Sequence, residues 1–215
     1  SMWAKVQAAQ IVGLKADLVE VEVDIGKGLH SFAVVGLPDK AVEEAKDRIS
    51  AAIKNSGFKP PQKSNKKVII SLAPADLKKE GPVFDLAIAL AYLLASGEIK
   101  FKPAGKLFLG ELALDGALRP IKGTLMIARK AKAASLQELY LPAQNAAEAA
   151  LIRGIKVYGC HSLKELTDYL SPPITEEGGP RLLAPLKPQP VTEVVSELGN
   201  FDIDLADVKG QQTAK

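Results

Sequence analysis

The chain carries its clearest structural signature in two stretches, Leu72-Ala-Pro-Ala-Asp-Leu-Lys-Lys-Glu-Gly-Pro-Val-Phe-Asp85 and Leu109-Gly-Glu-Leu-Ala-Leu-Asp-Gly-Ala-Leu-Arg-Pro-Ile-Lys-Gly123. The first follows a short β-branched run, residues 67–72, that is typical of a central strand. It leads into residues 83–95, which are apolar nearly all round and therefore predict a helix buried on more than one side. The second contains an Asp-Gly turn between short strands and leads into a helix predicted over residues 121–134.

The flanking sequence predicts strands first and then strands that alternate with helices. Residues 16–25 alternate between apolar and acidic side chains, which indicates a half-buried strand, whereas residues 2–13 give a mixed signal. Apolar residues recur at helical spacing after Pro38 and Asp39. Strands are predicted over residues 32–35, 106–109, 138–141 and 155–158, and helices over residues 145–153 and 162–170. This order predicts an α/β (α+β) sandwich.

Length and composition are those of one globular domain with an appendage. The chain has 215 residues, of which 47% are hydrophobic and 25% are charged. No apolar run approaches the roughly 18 residues of a membrane-spanning helix, and the amino terminus lacks a signal-peptide pattern. A single cysteine, Cys160, excludes an internal disulfide and fits a reducing compartment. The sequence therefore predicts a cytoplasmic protein without a membrane partner.

Basic residues are concentrated in two windows that contain no acid. The first, residues 48–75, holds Arg48, Lys54, Lys59, Lys63, Lys66 and Lys67. The second, residues 116–137, holds Arg119, Lys122, Arg129, Lys130 and Lys132. Because basic clusters of this kind contact phosphates, we predict DNA binding by the first window together with Arg119 and Lys122. A solvated lysine face is the alternative interpretation.

The composition changes at residue 171, where we divide the chain. Residues 171–190 include six prolines, which block helices and central strands. Residues 171–200 are therefore predicted to form a proline-rich linker or a strap along the surface. Residues 171–215 carry a net charge of −3, so that residues 1–170 carry +6 of the chain total of +3. A basic body thus precedes an acidic tail.

The sequence offers no motif for nucleotide or metal binding. A Walker A loop requires Gly-x-x-x-x-Gly-Lys-Ser/Thr, but the two Gly-Lys pairs are followed by Gly28 and Leu107. Two histidines and one cysteine lack the spacing of a zinc site. The adjacent Cys160 and His161 would point to opposite faces of a strand. We expect no cofactor, metal or catalytic residue in this domain.

One carboxylate stands in an unusual place. Asp85 interrupts the otherwise apolar residues 83–95. A buried carboxylate must be compensated by hydrogen bonds or by an opposite charge. We therefore predict that Asp85 is a structural anchor that bonds to the backbone or to Arg119.

The two quoted stretches together resemble the core of Lon-type protease domains but lack their chemistry. In that family the Gly-Pro pair is followed by the nucleophilic serine, and the second stretch leads into a helix that bears a catalytic lysine. Val83 and Leu125 stand at those two places. Nucleophilic catalysis needs a nucleophile with an adjacent base, and neither side chain is one. The resemblance implies a protease-dead, Lon-protease-like domain over residues 2–170, with the ribosomal protein S5 domain 2-like fold.

A more specific resemblance links the chain to the ComM/YifB family of bacterial Mg-chelatase-like AAA+ ATPases, and more distantly to the Lon-like domain of the RadA type. Its motifs, in order, are residues 34–48, 72–85, 109–123 and 141–150. Residues 201–215 resemble the start of the junction to the AAA+ module. The resemblance implies a hexameric ring that acts on DNA, in branch migration, recombination or natural transformation. It also implies that ATP and Mg are bound by the ATPase module of the parent protein and not by this domain.

Three functions stay open on the sequence alone. The first is a non-catalytic assembly and DNA-contacting domain of a hexameric AAA+ ATPase. The second is a protein-interaction or oligomerisation module without DNA contact, in which the lysines only keep the protein in solution. The third is a hydrolase with an unrecognised dyad, for which the chain offers no candidate pair.

Overall fold

A β-sheet with helices on both faces forms the body of the protein. The computed structural model of the chain describes residues 2–63, 65–75, 79, 81–174, 176–178, 186–192, 194–196 and 199–201. The strands are β1 (Met2–Val12), β2 (Lys15–Lys27), β3 (Ser31–Val35), β4 (Lys66–Ala73), β5 (Lys106–Phe108), β6 (Glu111–Leu112), β7 (Leu118–Arg119), β8 (Glu138–Pro142), β9 (Lys156–Cys160), β10 (Val194–Ser196) and β11 (Gly199–Phe201). The helices are α1 (Asp39–Asn55), α2 (Asp85–Ala95), α3 (Thr124–Ala133), α4 (Ala143–Ala149) and α5 (Leu163–Leu170), with short 3-10 turns at Pro61–Lys63 and Pro82–Phe84.

Within the described residues, seven strands form one mixed sheet in the order β3-β4-β2-β1-β5-β8-β9. β2 pairs antiparallel with β1 and with β4. The remaining neighbours in the sheet pair in parallel. Strand pairs β6–β7 and β10–β11 form separate antiparallel hairpins. The α/β sandwich predicted from the sequence is confirmed.

Two apolar cores lie on the two faces of this sheet. The first joins α1, α2 and α5 to one face, and the second joins α3 and α4 to the other. β1 supplies both cores, because Val6 and Ala8 point to the first while Ala9 points to the second. Each fully buried Val, Leu or Ile side chain contributes about 1.5–3 kcal/mol. The helices on the two faces are therefore held mainly by burial against the sheet.

Helix α2 is enclosed on all sides, as its apolar sequence predicts. All of its residues except Leu94 are buried, including Asp85. It packs against β1, β2 and α1, so no face of it is left for polar side chains. The compensation of the Asp85 carboxylate therefore has to come from a neighbouring element.

Helix α3 begins later than the sequence predicts. It starts at Thr124 instead of residue 121, because Gly123 adopts a left-handed conformation with φ of 76°. Helix α5 begins as predicted, since the Ser162 hydroxyl accepts a hydrogen bond from the Glu165 N–H at 3.1 Å.

The proline-rich segment includes a strap along the surface. The Gln189 N–H donates to the Val157 carbonyl on β9 at 2.6 Å, and the Thr192 N–H donates to the Ala150 carbonyl at 3.1 Å. Residues 189–192 thus lie against β9 and the end of α4. Of residues 201–215, predicted to begin the junction to the ATPase module, all but Phe201 lie outside the described residues. Among the helices described, none has the length and apolar character needed to cross a bilayer.

One part of the sheet presents apolar side chains to solvent. The register aligns Trp3 with Asp24, Asp24 with Ile69, and Ile69 with Ala33, so these four side chains form a row on one face. Trp3 is 57% exposed, Val35 58% and Ile69 37%. We call the surface formed by Trp3, Ala33, Val35 and Ile69, with the exposed Asp24 between Trp3 and Ile69, the open face.

Candidate nucleic-acid interface

The two positions that we predicted to correspond to the protease serine and lysine hold the apolar side chains of Val83 and Leu125. Val83 lies in the 3-10 turn Pro82–Phe84, where its carbonyl accepts the Gly110 N–H at 3.1 Å. Leu125 lies in the first turn of α3. Both side chains are partly buried and pack against the second core. This site can support packing, but these two side chains offer neither a nucleophile nor a base.

Asp85 connects three elements of the first core. Its Oδ2 accepts a hydrogen bond from Arg48 Nε at 2.7 Å and another from the Leu112 N–H at 3.1 Å. Its Oδ1 accepts a hydrogen bond from Arg48 Nη2 at 3.1 Å. We predicted a bond to the backbone or to Arg119, and the Leu112 N–H is such a backbone partner. The prediction of Arg119 is wrong, because α1 packs on α2 and brings Arg48 to the carboxylate, while Arg119 lies on β7 opposite Glu111.

Burial opposes the charge of this carboxylate. Burial raises the pKa of Asp85 to about 6. The hydrogen bonds to the carboxylate and the positive charge of Arg48 lower the pKa, but burial has the larger effect. The side chain of Arg48 is only 20% exposed and that of Asp85 is inaccessible. Arg48, a predicted DNA contact, is thus already engaged in an ion pair inside the protein.

Four other lysines of the first basic window, Lys54, Lys59, Lys66 and Lys67, are exposed or half-buried. Lys54 is exposed in the last turn of α1, and Lys59 is exposed in the loop that follows. Lys66 and Lys67 begin β4, and the register places Lys66 directly opposite Lys27 of β2. The side chain of Lys63 lies outside the described part of the chain.

Lys27 joins this cluster although the sequence pattern did not select it. Like charges directly opposite each other on neighbouring strands repel, so an anion bound between Lys27 and Lys66 would relieve that repulsion. Lys27 stands 39 positions before Lys66 in a segment rich in acids. The sequence predicted a strand over residues 16–25. Lys27 would have been placed next to Lys66 if this predicted strand had been two residues longer, as β2 is.

The residues predicted from the second window lie on and beside the β6–β7 hairpin. Arg119 is exposed on β7, and Lys122 is exposed just before α3. The hairpin adjoins the end of α1, because Asn55 Nδ2 donates to the Leu114 carbonyl at 2.7 Å. The structure therefore brings the Lys54 end of the first window near the hairpin that carries Arg119.

The remaining candidate nucleophile is inaccessible. Cys160 is buried at the end of β9, and burial raises the pKa of its thiol. His161 is exposed and its Nδ1 lies 3.2 Å from Glu165 Oε2. Over the described residues there is no group of three or more His, Cys, Asp or Glu side chains placed to hold a metal ion.

Comparison with known proteins identifies the family. The family model described as subunit ChlI of Mg-chelatase matches residues 21–145. Competence protein ComM of Haemophilus influenzae is 38% identical over 209 residues, which cover 95% of this chain and 38% of ComM. Uncharacterized protein YifB of Escherichia coli K12 is 40% identical over 208 residues, which cover 95% of this chain and 37% of YifB.

This chain belongs to the Mg-chelatase subunit ChlI family, and within it to the ComM/YifB group. The family is of the AAA+ ATPase-like, Mg-chelatase type. The chain spans less than two fifths of the length of these two relatives.

Proposed function

We propose that this chain is a non-catalytic assembly and DNA-contacting domain of a hexameric AAA+ ATPase of the ComM type. In this proposal the parent protein processes DNA in the cytoplasm, by branch migration, in recombination or in natural transformation. ATP and Mg²⁺ bind to its ATPase module, and the present domain contacts DNA phosphates. The observation that carries the proposal is the cross-strand pair Lys27 and Lys66, with Lys67 beside it, at an exposed end of the sheet.

The first test is the salt dependence of DNA binding. We expect residues 2–170 to retard both duplex and single-stranded DNA in a gel, with an affinity that falls steeply as salt increases. Each phosphate contact adds about 0.9 to the slope of log K against log salt for duplex DNA and about 0.7 for single strands. The triple variant Lys59→Gln, Lys66→Gln, Lys67→Gln should lower the slope if these lysines contact phosphates.

Lys59 and Lys67 are exposed, and the half-buried Lys66 lies outside both apolar cores, so the thermal unfolding of this variant should match the wild type. Wild-type protein that leaves DNA unretarded at low salt would contradict the DNA-contacting function. DNA binding whose affinity does not change with salt concentration would contradict contacts to phosphates.

The open face favours a second candidate function, a protein-interaction or oligomerisation module without DNA contact. Trp3, Val35 and Ile69 are apolar side chains exposed together on one sheet face. Exposed apolar patches of this kind mark protein interaction sites. Lys27 and Lys66 lie on the opposite sheet face from Ile69, so assembly through the open face and DNA contact through this lysine pair can operate in one domain.

Replacement of Trp3 by glutamate tests the assembly function. Tryptophan at the centre of an interface contributes about 2 kcal/mol or more, so the variant should weaken assembly of the parent protein about 30-fold or more. Sedimentation of the full-length protein measures this change. Leu29→Glu is the control, because Leu29 is 94% exposed outside the open face. Equal assembly of wild type and Trp3→Glu would remove the open face from the interface.

A further inference from the structure

A cavity of about 720 Å³ lies between the turn that joins β1 to β2 and the carboxyl-terminal half of α3. Lys15 lines it from the start of β2, and Arg129, Lys130 and Lys132 line it from α3. Asp17 is the acidic residue among the residues that line it. We call this cavity the cationic cleft, because four cationic side chains meet one carboxylate there.

A second cavity, of about 650 Å³, continues the cationic cleft, because Lys132 lines both. It adds Lys156 from the start of β9. The acid in this second cavity is Glu138, whose Oε2 lies 3.4 Å from Nζ of Lys106. The charge of Glu138 is thus offset within the protein, and the second cavity extends the positive region.

Helix stability explains only part of this concentration of charge. Lys130 and Lys132 stand in the last turn of α3, where basic side chains interact favourably with the helix dipole. Lys15 and Lys156 come from β2 and β9 and have no such role in α3. Cations from three separate elements therefore converge on one depression, an arrangement that focuses an attractive potential on anions.

Part of the lining of the cationic cleft is apolar. Met126, Ala133 and Ile152 line it, together with Leu14, which is 91% exposed. Nucleic-acid strands present phosphates beside the apolar faces of sugars and bases, and proteins bind them with basic grooves that also contact those faces. An acidic polypeptide is the other anionic polymer, but its flexible carboxylate side chains must first be ordered, which costs affinity. The cleft therefore suits a phosphate backbone better.

We infer that the cationic cleft is a binding site for the sugar-phosphate backbone of DNA. This inference rests on the proposed function and deepens it. It adds a second contact surface, on α3 and the β1–β2 turn, to the one at Lys27 and Lys66, and this surface includes Lys15 and Lys156.

A charge-neutralised variant of the cleft tests the inference. In Lys15→Gln, Lys130→Gln, Lys132→Gln, the slope of log K against log salt should fall by about 2–3, since each lost phosphate contact removes about 0.7–0.9. The affinity at 0.1 M salt should fall by at least about tenfold, because the same contacts supply the electrostatic part of binding. Fluorescence anisotropy with a labelled oligonucleotide measures both quantities.

The matched control is Lys40→Gln, Lys100→Gln, Lys102→Gln, which removes the same charge from exposed positions outside the cleft. It should bind DNA nearly as well as the wild type. Circular dichroism melting verifies that both variants are folded. A direct readout that needs no variant is the amide chemical shifts of Leu14 and Ala16, which should move when DNA is titrated into the wild type.

The outcomes separate this inference from the proposed function. If the wild type binds DNA and the cleft variant binds as well as its control, the inference is overturned while the proposed function stands. The inference is likewise overturned, and the proposed function likewise stands, if the triple variant Lys59→Gln, Lys66→Gln, Lys67→Gln reduces DNA binding and the cleft variant does not. If the wild type does not bind DNA, the proposed function fails and the inference fails with it. Binding of poly-glutamate without DNA binding would assign the cleft to an acidic polypeptide and also overturn the inference.

Discussion

Replacing Arg48 with alanine should lower the free energy of unfolding at pH 7.5 by about 3–5 kcal/mol, the cost of breaking a buried ion pair from one side. The guanidinium supplies two of the three hydrogen bonds that reach the Asp85 carboxylate, at 2.7 and 3.1 Å. Without it, a carboxylate that is inaccessible to solvent keeps, among the described residues, the Leu112 N–H as its one hydrogen-bond donor. Urea unfolding followed by circular dichroism measures the loss.

The loss should depend on pH in a defined direction. The pKa of Asp85 in the fold, about 6, is already above the value near 3.9 of an unfolded chain, so wild-type stability falls as the pH rises from about 4 to 6 and then levels off. Removing Arg48 removes an influence that lowers this pKa, so the pKa of Asp85 in the variant should lie higher still. Between pH 6.5 and 8 the variant should therefore continue to lose stability while the wild type stays level.

Two control variants separate the buried charge from the lost packing of the arginine stem. Arg48→Met with Asp85→Leu replaces the pair by apolar side chains of similar length and should recover most of the stability. Lys46→Ala removes a charge from the same helix and should change stability by less than about 0.5 kcal/mol. A deficit of Arg48→Ala that is the same at pH 5 and pH 8 would show that the uncompensated carboxylate is not its cause.

Local sequence patterns predict most of the fold. For Asp85 they predict burial but not the identity of its partner. Its position in an apolar helix was enough to predict a buried anchor, because a buried carboxylate always requires compensation. Its partner was not predictable in the same way, since Arg48 is 37 positions away and stands in a basic window that suggested the surface. Only the packing of α1 on α2 decides which arginine reaches the carboxylate.

Strand β1 was the main element that the sequence left undecided. It lies in the interior of the sheet, between β2 and β5, and is paired with β2 from Met2 to Val12. Alanine has a low intrinsic preference for strands, and Ala4, Ala8 and Ala9 replace the β-branched residues that mark a central strand. Small side chains suit this position because helices pack on both faces of the sheet around β1.

Sequence patterns did not predict the cationic cleft, although half of the residues that line it lie in the second basic window. Arg129, Lys130 and Lys132 are close together in the sequence, but Lys15 is more than 100 positions earlier. Hydrophobic packing of α3 across β1 and β2 brings Lys15 to them. Charge windows therefore suggested a class of ligand, while the tertiary contacts determine which cations line one cleft.

Gly123→Ala should be the other strongly destabilising substitution, with a loss of about 2–6 kcal/mol. Two costs add. A φ of 76° strains any residue with a β-carbon, by about 1–3 kcal/mol. That β-carbon would also lie 2.4 Å from Cγ1 of Ile11, and relieving such overpacking costs about 1–3 kcal/mol. Ile11 cannot easily turn away, because β-branched side chains are stiff at χ1.

Gly13→Ala is the matched control for the Gly123 substitution. Gly13 has a φ of 61°, but an added β-carbon there would meet no atom within 4 Å. The control therefore includes the backbone strain without the collision, and the difference between the two variants gives the cost of the contact with Ile11. The double variant Gly123→Ala, Ile11→Ala should lose less stability than the sum of the two single losses, because the shortened side chain removes the collision.

The same variant links the fold to the proposed DNA contact. Gly123 precedes α3, which carries Arg129, Lys130 and Lys132, so a displaced start of α3 should also disturb the cationic cleft. DNA affinity of the folded fraction should fall in Gly123→Ala and not in Gly97→Ala, because Gly97 also has a positive φ, an added β-carbon there meets no atom within 4 Å, and it lies outside the cleft. If Gly123→Ala and Gly13→Ala lose equal stability, Ile11 yields to the new methyl group, and the contact between β1 and Gly123 does not fix where α3 begins.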